Sequence, residues 1–570
     1  MRHIRVAIAQ LNPLVGDIAG NVEMILEAYG AALAEKADLV VTPELSITGY
    51  PPEDLLLRPA FVADAMAAVE RLAARVGRTA LVVGFPEAGH DLHNSAAVLA
   101  EGGIRGIYRK QVLPNYSVFD EERYFIPGDE VGPLYVVAGV AVGLTICEDI
   151  WSPVGPYAEQ AAGGAELLVN INGSPYRAGK QRIRETLLAT RSSDVSVPVV
   201  YANQVGGQDE LVFDGGSMVL DHEGRLAARA SLFDTDLLVT DIEVPLPYRQ
   251  RLLDPRGRPH RDHLDRLVVS ATTVDPNRAT VAPRVERPLD PLAELWQALV
   301  TGTRDYVRKN GFTDVVIGLS GGIDSSLVAA VAADALGPDH VHGVSMPSRF
   351  SSEGSRTDAA ELAENLGIDY RTIPIEAAHE ALLEMLAPSF EGREADTTEE
   401  NIQSRIRGLV LMALSNKFGW MVLTTGNKSE SAVGYATLYG DTAGGYAVIK
   451  DVFKLQVYEL CRWKNSRTGR EVVPVTVLTK APSAELRPDQ RDDQSLPPYE
   501  VLDPLLEAYV EDDRTAAEMI EMGFDPALVR RVTRLVDLAE YKRRQSPPGP
   551  KVSPKAFGKD RRLPITNGYR

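Results

Sequence analysis

The stretch TDVVIGLSGGIDSSLVAAVAADALG, residues 313–337, sets an apolar run, a double-glycine turn and a second apolar run side by side. TDVVIGLS reads as a buried strand, and SSLVAAVAADALG as a helix that Gly337 and Pro338 stop. Between them, Ser320-Gly321-Gly322-Ile323-Asp324-Ser325-Ser326 aims backbone N–H groups and a helix N-terminus at one point, which makes an anion cradle. A Walker A loop needs a lysine after its glycines; here Asp324 takes that region. A carboxylate beside phosphates is repulsive by itself and makes sense as a ligand to a hard cation such as Mg2+ bridging phosphate oxygens. The plainer reading is a glycine turn with Asp324 as a capping acid; the flanking hydroxyls between strand and helix weigh against it.

Upstream, PLAELWQALVTGTRDYVRKNG (291–311) has the spacing of an amphipathic helix, so the second half opens as a parallel α/β sheet. The first half carries short β-rich runs: RVAIAQ (5–10), DLVVTPE (38–44), ALVVGFPE (80–87), GVAVGLTICED (139–149) and AELLVNINGS (165–174). Ala-rich helical patterns such as VEMILEAYGAALAEKA (22–37) separate several of them, giving an α/β layered domain. From about Pro245 to Pro291 prolines and charges break any period, so the chain divides into a domain at 1–270, a linker at 271–290 and a domain at 291–570. The tail from Ser546, rich in Pro, Lys and Arg, is either disordered or docked on an acidic or phosphate-bearing surface.

At 570 residues, 44% hydrophobic and 24% charged, the chain has the composition of a soluble globular protein of two to four domains. A net charge of −19 repels a polyphosphate backbone, so nucleic acid is not expected as a partner. Two cysteines, Cys147 and Cys461, are too few for a disulfide framework and fit a reducing, cytoplasmic location. No apolar run reaches membrane-span length and no targeting segment is apparent, so no membrane partner is expected.

The SGGIDSS string resembles the pyrophosphatase loop of the N-type ATP pyrophosphatases, which adenylate a carboxylate or carbonyl and release pyrophosphate. Four further stretches, ENIQSRIRG (400–408), TTGNKSESAVGYATLYGD (424–441), PSAELRPDQRDDQSLPPYEVLD (482–503) and YKRRQSPPG (541–549), are similar to those of NAD+ synthetase domains. The resemblance implies a Rossmann-like parallel α/β synthetase domain. It implies that Gly318, Leu319, Ser320, Gly321, Gly322, Ile323, Asp324, Ser325 and Thr425 bind ATP. It also implies that Asn401, Glu430 and Lys542 bind deamido-NAD+, and that Asp324 with Glu430 holds Mg2+. Taken singly, the favoured readings are Asn401 as a cap and Glu430 and Lys542 as solvated surface charges. The chemistry is coherent: a nicotinate carboxylate would have to expel oxide, whereas an acyl adenylate made from ATP lets ammonia displace AMP.

In the first half, Glu44 in VVTPELSITGYPPEDLL (40–56), Lys110 in YRKQVLPNYSVFDEERYF (108–125) and Cys147 in VGLTICEDIW (142–151) stand at apparent strand or loop ends. These residues resemble the catalytic set of the nitrilase superfamily, whose fold is an α-β-β-α sandwich. A free thiol has a pKa of about 8.5, so an amidase nucleophile needs a base and a nearby cation. In that reading Glu44 is the base, Lys110 supports the thiolate and the oxyanion, and Cys147 forms the acyl-enzyme. By position alone Cys147 is equally a buried structural cysteine, and Glu44 with Lys110 an ion pair on a loop rim. The resemblance further implies that Tyr116, Ser174 and Lys180 bind glutamine, and that either Glu121 or Glu148 is the second carboxylate near the nucleophile.

A nitrilase-like domain joined to such a synthetase resembles the glutamine-dependent NAD+ synthetases over essentially the whole chain. That implies a ligase for glutamine, ATP and deamido-NAD+, a dry passage for ammonia between the sites, and a homo-oligomer. Another ATP-pyrophosphatase amidotransferase with a different acceptor, and a first domain serving only in assembly, are the alternatives.

Overall fold

A computed structural model describes residues 2–245, 263–270, 278–488, 490, 494 and 496–569. The chain divides into two units, Met1–Gln208 with Val212–Leu289, and Asp209–Leu211 with Asp290–Arg570.

In the first unit the strand Arg2–Gln10 sends Ile4, Val6 and Ile8 to one core and Ala7 and Ala9 to another. Period-two alternation with both faces apolar requires cover on both sides of the sheet. That strand lies in a six-stranded sheet ordered Asp236–Val244, Arg2–Gln10, Leu39–Val41, Ala80–Ala88, Leu92–Ala100, Gly103–Arg109. A seven-stranded sheet runs Leu226–Arg229, Met218–Leu220, Val199–Asn203, Leu167–Asn172, Val140–Ile146, Leu134–Val137, Arg266–Val268. Val142, Leu144 and Val169 of the second sheet share one core with Ile4, Val6 and Ile8 of the first. Each fully buried Val or Ile there contributes about 1.5–3 kcal/mol. Outside, helices Ile18–Ala34 and Pro59–Ala73 cover the first sheet through Ile25, Tyr29 and Leu72. Helices Pro156–Ala162 and Lys180–Val195 cover the second through Tyr157 and Leu188. The architecture is the α-β-β-α sandwich.

Of the segment expected as a linker, 271–277 lie outside the described residues, while 278–289 belong to the first unit. Two of its charges pair with carboxylates of the first unit. Arg278 pairs with Asp38 at 2.9 Å and Arg284 with Asp236 at 2.7 Å. Independent structure resumes at helix Pro291–Lys309, where Asp290 accepts a hydrogen bond from the Ala293 amide at 3.0 Å and Pro291 occupies the first turn.

The second unit is built on five parallel strands ordered Asp369–Thr372, Val341–Ser345, Val315–Gly318, Met421–Thr424, Tyr446–Ala447. The chain leaves the central strand Val315–Gly318 to one side, then crosses to the other. Such a switch opens a crevice at the carboxyl ends of the strands. The loop quoted first lies there, followed by helix Ile323–Leu336. The strand is shorter than the 313–320 expected because the backbone turns at Gly321, with φ of +74°; a Cβ there would collide with the Ser355 backbone.

The tail from Ser546 is docked. Asp451 accepts from the amides of Val552 and Ser553 at 2.8 and 2.7 Å and from the Ser553 hydroxyl at 2.7 Å. The buried Lys428 ammonium bonds Asp451 at 2.8 Å, Glu511 at 2.6 Å, the Ser553 hydroxyl at 2.6 Å and the Lys555 carbonyl at 2.9 Å. Among the described residues no helix is long and apolar enough to cross a membrane.

Candidate active sites

Glu44, Lys110 and Cys147 stand just past the ends of three strands, Leu39–Val41, Gly103–Arg109 and Val140–Ile146, drawn from both sheets. The Lys110 ammonium donates to Glu44 Oε1 at 2.7 Å and to the two oxygens of Glu121 at 2.9 and 2.8 Å. Asn94 Nδ2 also donates to Glu44 Oε1 at 2.8 Å, and the Gly173 amide to Glu44 Oε2 at 2.8 Å. The Tyr50 hydroxyl donates to Glu121 at 2.9 Å. Glu44 and Lys110 are both 0% exposed, which removes the loop-rim ion pair as a description. Cys147 opens the turn Cys147–Ile150 with φ of +45°, a left-handed conformation that side chains rarely adopt.

The electrostatics follow from two carboxylates and one ammonium sharing a dry volume. Burial first, then Glu44, pushes the Cys147 thiol well above its ordinary range, while Lys110 pulls the other way. Burial alone would lower Lys110, but Glu121 and Glu44 hold its ammonium well up. Burial raises Glu121 against the pull of Lys110. The Cys147 thiol thus shares its surroundings with the charges of Glu44, Lys110, Glu148 and Glu121. Glu121 rather than Glu148 carries the hydrogen bonds to Lys110; Glu148 accepts from Tyr116 at 3.1 and 3.0 Å.

Tyr116 is exposed, whereas Ser174 is buried, its amide donating to Asn203 Oδ1 at 3.0 Å. Lys180 opens helix Lys180–Val195, with its ammonium 5.7 Å from the Trp151 ring centre. Burial, then the Arg184 charge, pushes Lys180 down to about 7. Arg184, which no local pattern marks, forms a fully buried pair with Asp214 at 2.6 Å and donates to the Ser174 carbonyl at 2.9 Å.

In the second unit a cavity of about 620 Å³ is lined by Gly318 to Asp324, Thr425, Asn401, Glu430 and Lys542. Ser325 is set behind it, its hydroxyl donating to the Gly322 carbonyl at 3.1 Å and so bracing the loop. Asn427 caps helix Lys428–Val433 by accepting from the Glu430 amide at 2.9 Å, and its Nδ2 donates to Asp324 Oδ1 at 2.9 Å. The Lys454 ammonium bonds Asp324 Oδ2 and lies 3.2 Å from Glu430 Oε1. Asn401 accepts from the Thr437 hydroxyl at 2.8 Å, and Lys542 donates to the carbonyls of Gly434 and Ala436, both at 2.8 Å. The sequence reading missed Asn427 and Lys454; the Asn-x-x-Glu spacing before an apolar residue was the available signal for the first, and none marked the second.

Asp324 and Glu430 thus both turn an oxygen toward the Lys454 ammonium, which leaves the two carboxylates close enough to be candidate ligands of a hard cation. Among the described residues no cluster of three or more His, Cys, Asp or Glu could hold a metal alone. Two carboxylates suit Mg2+, which takes its remaining ligands from substrate phosphates and water.

Residues 5–249 match the carbon-nitrogen hydrolase family and residues 295–546 the NAD synthase family. The chain is 48% identical to the glutamine-dependent NAD(+) synthetase of Thermotoga maritima over 100% of both chains. It is 46% identical to that of Aquifex aeolicus, over 99% of this chain and 100% of the relative. A solved glutamine-dependent NAD+ synthetase from Acinetobacter baumannii, in complex with ADP, covers 100% of this chain and 99% of its own at 40% identity and a TM-score of 0.74. With one family on each unit and the likeness running end to end, the chain belongs to the glutamine-dependent NAD(+) synthetase family.

Proposed function

We propose that the protein amidates deamido-NAD+ to NAD+ at the expense of ATP, taking ammonia from glutamine and releasing glutamate, AMP and pyrophosphate. The observation that carries the reading is the buried Lys110 bridging Glu44 and Glu121 beside Cys147, in one chain with the SGGIDS cavity.

In the first unit Glu44 takes the proton of Cys147 as sulfur attacks the amide carbon, so the thiolate forms only as it is consumed. Lys110 stabilises the oxyanion, and Glu121 keeps that ammonium charged. Ammonia leaves, water cleaves the thioester, and glutamate departs. Tyr116, Ser174 and Lys180 hold the glutamine. In the second unit the loop Gly318 to Asp324, braced by Ser325, and Thr425 hold ATP, while Asn401, Glu430 and Lys542 hold deamido-NAD+. Mg2+, held by Asp324 and Glu430, would supply positive charge to the departing pyrophosphate. The carboxylate attacks the α-phosphate, and ammonia from the first unit displaces AMP, reaching it before protonation in bulk water. Amide-¹⁵N glutamine should give NAD+ whose carboxamide carries the label, read by mass; unlabelled NAD+ rejects the proposal.

A pH dependence follows from Lys180. Its ammonium is present below about 7 and lost as pH rises through that value, so glutamine capture weakens on the alkaline side. The limiting slope for one proton is about tenfold in kcat/KM for glutamine per pH unit. Lys180→Arg, which stays charged, should flatten that limb; an unchanged profile would remove Lys180 from glutamine binding. The two buried free cysteines fit a cytoplasmic protein. We also propose a homo-oligomer, which light scattering of the purified protein tests directly.

A further inference from the structure

The buried carboxylate of Asp149, two residues past Cys147, has no part in the chemistry above, yet it ties the two catalytic segments together. Its Oδ2 accepts from the Ile146 amide at 2.9 Å and the Tyr108 hydroxyl at 2.8 Å. Its Oδ1 accepts from the amides of Gln111 and Val112 at 3.1 and 2.9 Å. Asp149 is 0% exposed, and all four donors belong to residues within two positions of Cys147 or Lys110. Ile146 precedes Cys147 at the edge of the left-handed turn; Tyr108 stands two before Lys110, and Gln111 and Val112 follow it.

The nucleophile belongs to one sheet and the lysine to the other, so neither strand ladder fixes the distance between them. One carboxylate accepting from both segments does. The strained Cys147 backbone also needs an outside constraint, and the Ile146 bond supplies it within the same turn. We propose that Asp149 is a positioning residue for glutamine cleavage, holding the Cys147 turn in register with the Lys110 segment. This rests on the assignment of glutamine hydrolysis to Cys147, so Cys147→Ala serves as a separate control: continued hydrolysis there would sink that assignment and not the role of Asp149.

Asp149→Asn keeps the shape of the side chain but replaces one acceptor oxygen by a donor group that faces other donors. Tyr108→Phe deletes a single bond. In Asp149→Asn, kcat for glutamate release should fall about 100-fold, the scale of a misplacement near 1 Å, with KM within about threefold of the parent. Tyr108→Phe should show a smaller fall of the same kind. Alkylation of Cys147 by iodoacetamide should slow in parallel, which a remote packing defect would not produce. NAD+ formation from an ammonium salt should stay at the parental rate in both. The proposal is overturned if kcat is unchanged in every variant that folds. It is equally overturned if activity falls only in step with a lowered melting temperature, or if KM rises while kcat holds.

Discussion

Cys147→Ala will make no measurable NAD+ from glutamine and will keep its rate with an ammonium salt. Loss of the sulfur removes the covalent route altogether, so glutamine-supported turnover should fall by about 10⁴-fold or more. The rest of the unit has little reason to change. Burial pushes the thiol toward its neutral form, and the hydrogen bonds that hold Glu44, Lys110 and Glu121 together do not involve the sulfur. Alanine has a Cβ as cysteine does, so the φ of +45° at this position is no harder to hold. Initial rates of NAD+ formation with each nitrogen source decide the matter. Equal loss with both would break the division of labour between the units.

Asp324→Ala should do the reverse in one respect: it stops synthesis from either nitrogen source while glutamate release continues. Asp324 lies at the mouth of the glycine loop with Asn427 on one oxygen and Lys454 on the other, facing Glu430 across that ammonium. Removing one of the two carboxylates from the proposed cation site costs both its charge and its geometry, and a drop of about 10³-fold in AMP formation is the expected scale. Asp324→Asn separates the two contributions, since it keeps the volume and loses only the charge. AMP release at the parental rate in either variant would remove Asp324 from metal and nucleotide binding.

What the sequence made legible was local. The strand, glycine turn and helix of 313–337 are contiguous, so hydrophobic pattern and turn chemistry suffice to place them. The groups that complete each site are distant in sequence. Asn94 reaches Glu44 from strand Leu92–Ala100, Gly173 from just past strand Leu167–Asn172, and Lys454 reaches Asp324 across 130 positions. No period or spacing carries that information; strand order does. The choice between Glu121 and Glu148 was open for the same reason. The short turn Glu121–Arg123 brings its first carboxylate onto Lys110, which is the contact the proposal builds on. The partners of Arg278 and Arg284 were likewise out of reach, since Asp38 and Asp236 lie 240 and 48 positions away.

The docking of the segment after Ser546 has a consequence for the helix that carries Glu430. Two of the four partners of the Lys428 ammonium, at the start of the helix that carries Glu430, are Ser553 and Lys555. Those residues lie 125 and 127 positions further along the chain, so this end of the helix gains two of its bonds only once a distant segment has folded against it. Without that segment the Lys428 ammonium keeps only Asp451 and Glu511, so the helix bearing Glu430 is held less firmly.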